Sequence, residues 1–296
     1  MKPSLRFGIS AALVTPFAAD GRVDTPRLAD HSRWCLGRGL SSVTLFGTTG
    51  EGPSVAARER DAVAAALIAD GLAPSRVVEA VIAASVEEAA WGTARALERG
   101  ARAVLLAPPF YFAPTSDEAL AAWFAAVFDT VGPSLRDVIL YHIPGLTRVP
   151  LSPDLVARVR AQHPGAVIGV KDSAGDREAT MRLLARHPDL AILVGDERYL
   201  GTACAAGAAG SICGMANLVP EAILTLAERG EDDPRVIRLV DAVLAGPVIP
   251  GLKALVAAAK GDPGFAAPRP PLAAMAPPVD ATEALRAFAR DVALAD

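Results

Sequence analysis

The chain has 296 residues, 52% of them hydrophobic and 21% charged, with a net charge of −4. That supplies core material for one large α/β domain or two smaller ones. The acid excess and the lack of a basic stripe argue against nucleic acid as a partner, and no apolar stretch reaches the length of a membrane span.

The first segment, MKPSLRFGISAALVTPF, reads poorly as a signal peptide, because Pro3 and Arg6 interrupt it and Thr15-Pro16 breaks its apolar run. Short β-rich runs then alternate with helical patterns along the chain. The runs are Phe7–Thr15, Ser42–Phe46, Val77–Ala83, Ala103–Ala107, Val138–His142, Val167–Lys171, Ala191–Gly195 and Gly210–Gly214. Most are continuously apolar, as expected of parallel strands covered on both faces. Between them, Val86, Ala89, Ala90, Ala94 and Leu97 form one apolar stripe, and Leu120, Trp123, Phe124, Val127, Phe128 and Val131 form another. Thr25-Pro26 and Ser152-Pro153 read as a cap residue followed by a first-turn proline. Gly39 and Gly100 read as helix stops.

Eight strands in β-α order predict a (β/α)8 TIM barrel over residues 1–218, with residues 219–296 as a C-terminal helical appendix packed on it. In the appendix Pro220–Gly230 is one helix, more helical pattern runs to Lys260, a Pro-rich connection follows, and residues 281–296 form a last helix. A doubly wound open sheet is the alternative, but no G-x-G-x-x-G follows the first strand. Cys35, Cys204 and Cys213 lie far apart, which suits a reduced, cytoplasmic protein rather than a disulfide scaffold. The histidines, His31, His142, His163 and His187, are isolated, with no H-x-H, H-E-x-x-H or C-x-x-C pattern, so no metal site is expected.

In such a barrel the chemistry sits at the C-terminal ends of the strands, and five stretches there carry reactive groups. FGTTGEGPS after the second strand offers hydroxyls and backbone N–H groups to a small anion such as a carboxylate; it also reads as an ordinary glycine-requiring turn. PPFYF follows the fourth strand and YHIP ends the fifth, where Tyr141 is either a proton shuttle or a core tyrosine. Lys171 ends the sixth strand in a chain with only four lysines, Lys2, Lys171, Lys253 and Lys260. A buried lysine usually has a partner or a job. Either it pairs with neighbouring Asp172, or it is a desolvated amine that attacks a carbonyl and forms a Schiff base. Asp196 and Glu197 after the seventh strand either bind substrate hydroxyls or belong to a salt-bridged loop.

GTTGE (Gly47–Glu51), YHIPGLT (Tyr141–Thr147) and GVKDSAGD (Gly169–Asp176), in this order at strand ends, resemble the dihydrodipicolinate synthase/N-acetylneuraminate lyase family of pyruvate-handling class I aldolases over nearly the whole chain. The resemblance implies a Schiff-base lyase without cofactor that handles pyruvate or a 2-keto-3-deoxy acid. It makes Lys171 the Schiff-base lysine and Tyr141 the proton relay. Thr48 and Thr49 become the carboxylate-binding pair, with Thr48 also in the relay. Tyr111 becomes a second tyrosine completing that relay across a subunit contact, and Gly195 and Ile212 line the pyruvate pocket. A homo-oligomer, dimer or tetramer, is implied as well. The chemistry favoured by this reading is reversible aldol cleavage to pyruvate and an aldehyde. The alternatives are condensation of pyruvate with aspartate semialdehyde, dehydration of a sugar-derived 2-oxo acid, and a catalytically silent barrel that binds a small carboxylate and regulates. Departures bear on the substrate. Leu146 stands where the synthases hold a carboxylate with arginine, and Arg148 follows two residues later. Asp196-Glu197 resembles the acidic pair of the sialic acid lyases, whose expected serine is Gly214 here. His142 replaces the usual asparagine.

Overall fold

A computed structural model describes residues 7–113 and 115–292. Met1–Arg6 and the last four residues of the predicted final helix lie outside the described residues. In chain order the elements are β1 (Gly8–Ala12), α1 (Thr25–Gly37), β2 (Ser42–Leu45), α2 (Ala57–Ala69), β3 (Val77–Val81), α3 (Val86–Glu98), β4 (Ala103–Leu106), α4 (Asp117–Val131), β5 (Val138–His142), α5 (Pro144–Thr147), α6 (Pro153–Gln162), β6 (Val167–Asp172), α7 (Arg177–Arg186), β7 (Ala191–Val194), α8 (Leu200–Ala205), β8 (Gly210–Cys213), α9 (Pro220–Arg229), α10 (Pro234–Leu244), α11 (Val248–Lys260) and α12 (Val279–Val292). The strands pair in sequence, all parallel, and β8 returns to β1 to close the barrel. The eight apolar runs are the eight strands. The first is shorter than its run because Thr15 leaves the ladder, and its hydroxyl donates to the carbonyl of Gly50 (2.7 Å).

Two apolar layers result. Small and branched side chains of alternate strand positions, among them Ala12, Val78, Ala80, Leu105, Ile139, Tyr141, Leu193 and Ile212, fill the barrel. The opposite positions pack outward against the helices. The α4 stripe is typical: Leu120, Phe124, Val127, Phe128 and Val131 are buried, and each such side chain withdrawn from water stabilises by about 1.5–3 kcal/mol. Ser116 caps that helix by accepting from the N–H of Ala119, and Ser152 caps α6 by accepting from Leu155. At α1 the cap is Asp24, which accepts from the N–H of Arg27, and Thr25 is the first helical residue rather than the cap. A carboxylate there satisfies an unpaired N–H and also meets the positive end of the helix. Gly39 and Gly100 both take positive φ just past α1 and α3, as stops require.

The polypeptide beyond β8 is helical. α9 lies against α8 and β1, the place of an eighth barrel helix, and one hydrophobic cluster runs from Ile9 on β1 to Ala281 on α12. The seam between barrel and helices also holds His31, which is 1% exposed. The Asn217 side-chain nitrogen donates to the carbonyls of Ala12 and Gly214, which orients its oxygen toward Val14 N–H and His31 Nε2 (2.9 Å). His31 therefore donates through Nε2, and its buried Nδ1 has no partner. Burial, reinforced by the Lys260 cation and opposed by the Asn217 bond, lowers its pKa from 6.5 to about 4. The unfolded chain thus takes up a proton that the folded one refuses. Stability is full above pH ~6.5 and falls by about 3 kcal/mol as the pH drops toward ~4. Urea midpoints across that window should show the loss in the wild type and a flatter profile in His31→Gln.

Candidate active site

Side chains alternate across a strand, so the inward position of Lys171 sends Asp172 outward. The two do not pair. Asp172 accepts from His142 Nδ1 (3.0 Å), from the Thr180 hydroxyl on α7 (2.6 Å) and from the N–H of Ala174 (3.1 Å). Burial alone would raise the Asp172 carboxyl, but these bonds outweigh it and hold the group below its usual value. His142 and Asp172 sit opposite each other on β5 and β6, one step beyond the opposed pair Tyr141 and Lys171. His142 thus supplies a clamp between the two strands that carry Tyr141 and Lys171.

Lys171 is 5% exposed, and among the described residues no carboxylate lies within salt-bridge distance of its amine. Its Nζ donates to Tyr141 Oη at 3.3 Å, and the Tyr141 hydroxyl donates to Thr48 Oγ1 at 3.1 Å. The structure thus gathers Lys171, Tyr141 and Thr48 into one chain of proton-carrying groups, drawn from β6, β5 and the loop after β2. The loop bends sharply. Glu51 N–H bonds Thr48 carbonyl (3.0 Å), Gly52 N–H bonds Gly47 carbonyl (3.0 Å), and Glu51 takes positive φ (55°). Gly50 has no room for a side chain, since a Cβ would stand 2.8 Å from the carbonyl oxygen of Leu13. No backbone carbonyl among the described residues takes the N–H of Thr48 or Thr49. Those two donors and two partly exposed hydroxyls can receive a carboxylate.

The remaining expected residues divide. Ile212 is fully buried inside the barrel beside Tyr141. Gly195 closes against Ser173, where a Cβ would collide with the serine side chain, and its N–H donates to Asp172 carbonyl (2.7 Å). Asp196 is bound by the guanidinium of Arg198, which also reaches Asp241. Glu197 is buried, with Oε1 accepting from the N–H of Met215 (2.8 Å), and burial raises its carboxyl toward the neutral form. Both acids thus have partners within the protein, Asp196 through an ion pair and Glu197 through a backbone N–H. Tyr111 is 77% exposed, with its ring against that of Phe112. Leu146 and Arg148 are exposed around α5, and among the described residues Arg148 has no carboxylate partner. A groove of about 780 Å³ between α1 and α11, lined by His31, Trp34, Arg38 and Lys260 among others, contains none of the relay residues. Among the described residues no group of three or more metal-ligating side chains comes together, and no helix is long and apolar enough to cross a membrane.

One buried charge had no signal in the sequence pattern. Lys253 on α11 is fully buried, bonding Glu51 Oε1 (2.5 Å) and the carbonyl of Thr15 (2.7 Å). The ion-pair explanation of a buried lysine holds for Lys253 and fails for Lys171.

A family model described as the dihydrodipicolinate synthetase family matches residues 6–276. The chain belongs to the dihydrodipicolinate synthetase family. It is 34% identical over 255 residues to 4-hydroxy-tetrahydrodipicolinate synthase 1 of Streptomyces coelicolor, an alignment covering 82% of this chain and 80% of that protein. A crystal structure of dihydrodipicolinate synthase from Agrobacterium tumefaciens matches with a TM-score of 0.92 and 48% identity, covering 96% of this chain and 99% of the other. A variant of 2-keto-3-deoxygluconate aldolase from Sulfolobus solfataricus shares the fold, with a TM-score of 0.82 and 19% identity over 97% of this chain and 99% of the other. As a dihydrodipicolinate synthetase family member the chain is an enzyme, a lyase of the class I aldolase type.

Proposed function

We propose that Lys171 forms a Schiff base with pyruvate or a 2-oxo acid derived from it, and that the enzyme makes or breaks the carbon–carbon bond next to that carbon. The observation that carries this reading is the Lys171 amine, which has no carboxylate partner among the described residues and lies 3.3 Å from Tyr141, itself 3.1 Å from Thr48. The Lys171 nitrogen adds to the C2 ketone, and protonation of the resulting carbinolamine oxygen with loss of water gives the iminium. For a 2-keto-3-deoxy acid, the C4 hydroxyl gives its proton to the Tyr141 relay. The C3–C4 bond breaks, its electrons enter the iminium as an enamine, and an aldehyde departs. C3 then takes a proton, and water releases pyruvate from Lys171. Thr48 and Thr49 hold the substrate carboxylate. The lysine is the electron sink, so the chemistry draws on no metal or organic cofactor. Thr48→Val lies at both the anion site and the relay, so it lowers turnover more mildly than loss of the tyrosine hydroxyl.

Leu146 supports a partner without a second carboxylate, because it offers no charge where that group would need a cation. Asp196 and Glu197 already have partners within the protein, which supports a tail whose selection rests on other residues of the mouth as well. Condensation with aspartate semialdehyde is the second reading. It is favoured by 48% identity to a chain described as a dihydrodipicolinate synthase and by exposed Arg148, which has the charge Leu146 lacks. The deciding experiment compares kcat/KM for that condensation with kcat/KM for cleavage of 2-keto-3-deoxy acids, in wild type and Arg148→Ala. The aldolase reading expects cleavage to dominate in both. Efficient condensation that collapses in Arg148→Ala would establish the synthase.

The same reading places the enzyme in the cytoplasm, which the buried thiols of Cys35 and Cys213 suit. It also assigns exposed Tyr111 and Phe112 to contact with another copy in a dimer or tetramer.

A further inference from the structure

A fully buried ion pair lies at the Thr48–Thr49 loop. Glu51 and Lys253 are both completely buried as side chains, although taking two charges from water costs several kcal/mol per ion before their attraction is counted. Such a pair contributes little net stability over well-packed apolar residues, so its geometry is the more informative property.

Both carboxylate oxygens of Glu51 are held by the C-terminal extension. Oε1 accepts from Lys253 Nζ, and Oε2 accepts from the backbone N–H of Arg269 (2.8 Å). Lys253 Nζ also donates to the carbonyl of Thr15, and the Thr15 hydroxyl donates to the carbonyl of Gly50. The circuit closes on itself: α11 to Glu51, along the loop to Gly50, across to Thr15, and back to α11. Arg269 adds an outer fastening, with its guanidinium on the carbonyls of Ser54 and Gly21 and on Glu59. Thr48 and Thr49 lie directly before this ring, and the Glu51 N–H ties the Thr48 carbonyl to it (3.0 Å).

We propose that Glu51 and Lys253 are positioning residues for the Thr48–Thr49 loop, through which α11 sets the anion-binding end of the active site. The proposal rests on the Schiff-base reading for what the loop binds, and on the bond circuit for how it is held. The pair fixes the direction of the loop in a way that apolar packing would not, because each bond has a defined donor, acceptor and line.

The test uses the full chain as Glu51→Gln, Lys253→Met and the double variant. The double variant removes both charges together and so avoids stranding one in the core. Two quantities are measured beside the thermal transition: hydrogen exchange of amides 47–52, and the pyruvate concentration that half-saturates borohydride trapping at Lys171. The expected result is faster exchange in the loop with β6 still protected. Half-saturation should rise about 10²-fold, the scale of a small misplacement of a binding group, while saturating pyruvate still labels one lysine. Unchanged exchange and half-saturation in the folded double variant would overturn the proposal, whatever happens to the thermal transition. If the wild type is not labelled, the Schiff-base reading falls and loop exchange alone decides whether α11 holds the loop.

Discussion

Lys171→Met loses essentially all turnover while keeping its fold and its melting temperature. The loss should be on the order of 10⁶-fold, the scale of removing a covalent nucleophile, because no other group at the strand ends can hold the substrate as an iminium. The stability side follows from the surroundings. The Lys171 amine makes one hydrogen bond, to Tyr141, and no ion pair with a described residue, so an apolar chain of similar length leaves little unsatisfied. Steady-state assays and thermal melts on the same preparations check both halves. A residue serving only as structure would show the opposite pattern, with activity surviving in proportion to folded protein. Lys253→Met is the internal contrast: it strands the buried carboxylate of Glu51 and should destabilise the protein markedly.

Tyr141→Phe separates binding from proton transfer. The ring is 1% exposed and part of the barrel filling, and phenylalanine preserves that packing. What disappears is the one oxygen that touches both Lys171 Nζ and Thr48 Oγ1. Turnover should fall by about 10²–10⁴-fold, the usual contribution of a placed acid–base group, while stability changes by only about 1 kcal/mol. Single-turnover measurements are the check: the ketone should still be captured by Lys171, with the following bond cleavage slowed. Near-normal turnover would remove Tyr141 from the relay.

The architecture was legible because parallel strands buried on both faces leave mostly apolar runs, and the eight runs coincide with the eight strands. Strand alternation also bears on the site. With Lys171 inward, Asp172 one residue later faces the helices, and the strand register sets Tyr141 beside Lys171 and His142 beside Asp172. Other features depend on distance along the chain. Glu51 and Lys253 are separated by 202 positions, and no local pattern announces that a lysine in an apolar helix will meet an acid of the loop after β2. For Asp196 the residues leave a substrate role and a salt-bridged loop equally open, and its partner Arg198 is only two residues away. A short loop that turns back on itself lets the guanidinium close on the carboxylate, and residue spacing does not reveal that turn. Tyr111 shows the same limit for surfaces: its exposure is a property of the folded chain, and the residue type alone suits either a core or a contact.

The central claim is that Lys171 is the residue that bonds to substrate. Incubation of the intact protein with pyruvate and borohydride, followed by mass measurement and peptide mapping, tests it directly. The account predicts a single reduced pyruvyl adduct per chain, located on Lys171, with activity lost in step with labelling. An adduct on Lys253 or Lys260, or no adduct under conditions where pyruvate binding is demonstrated independently, would contradict it.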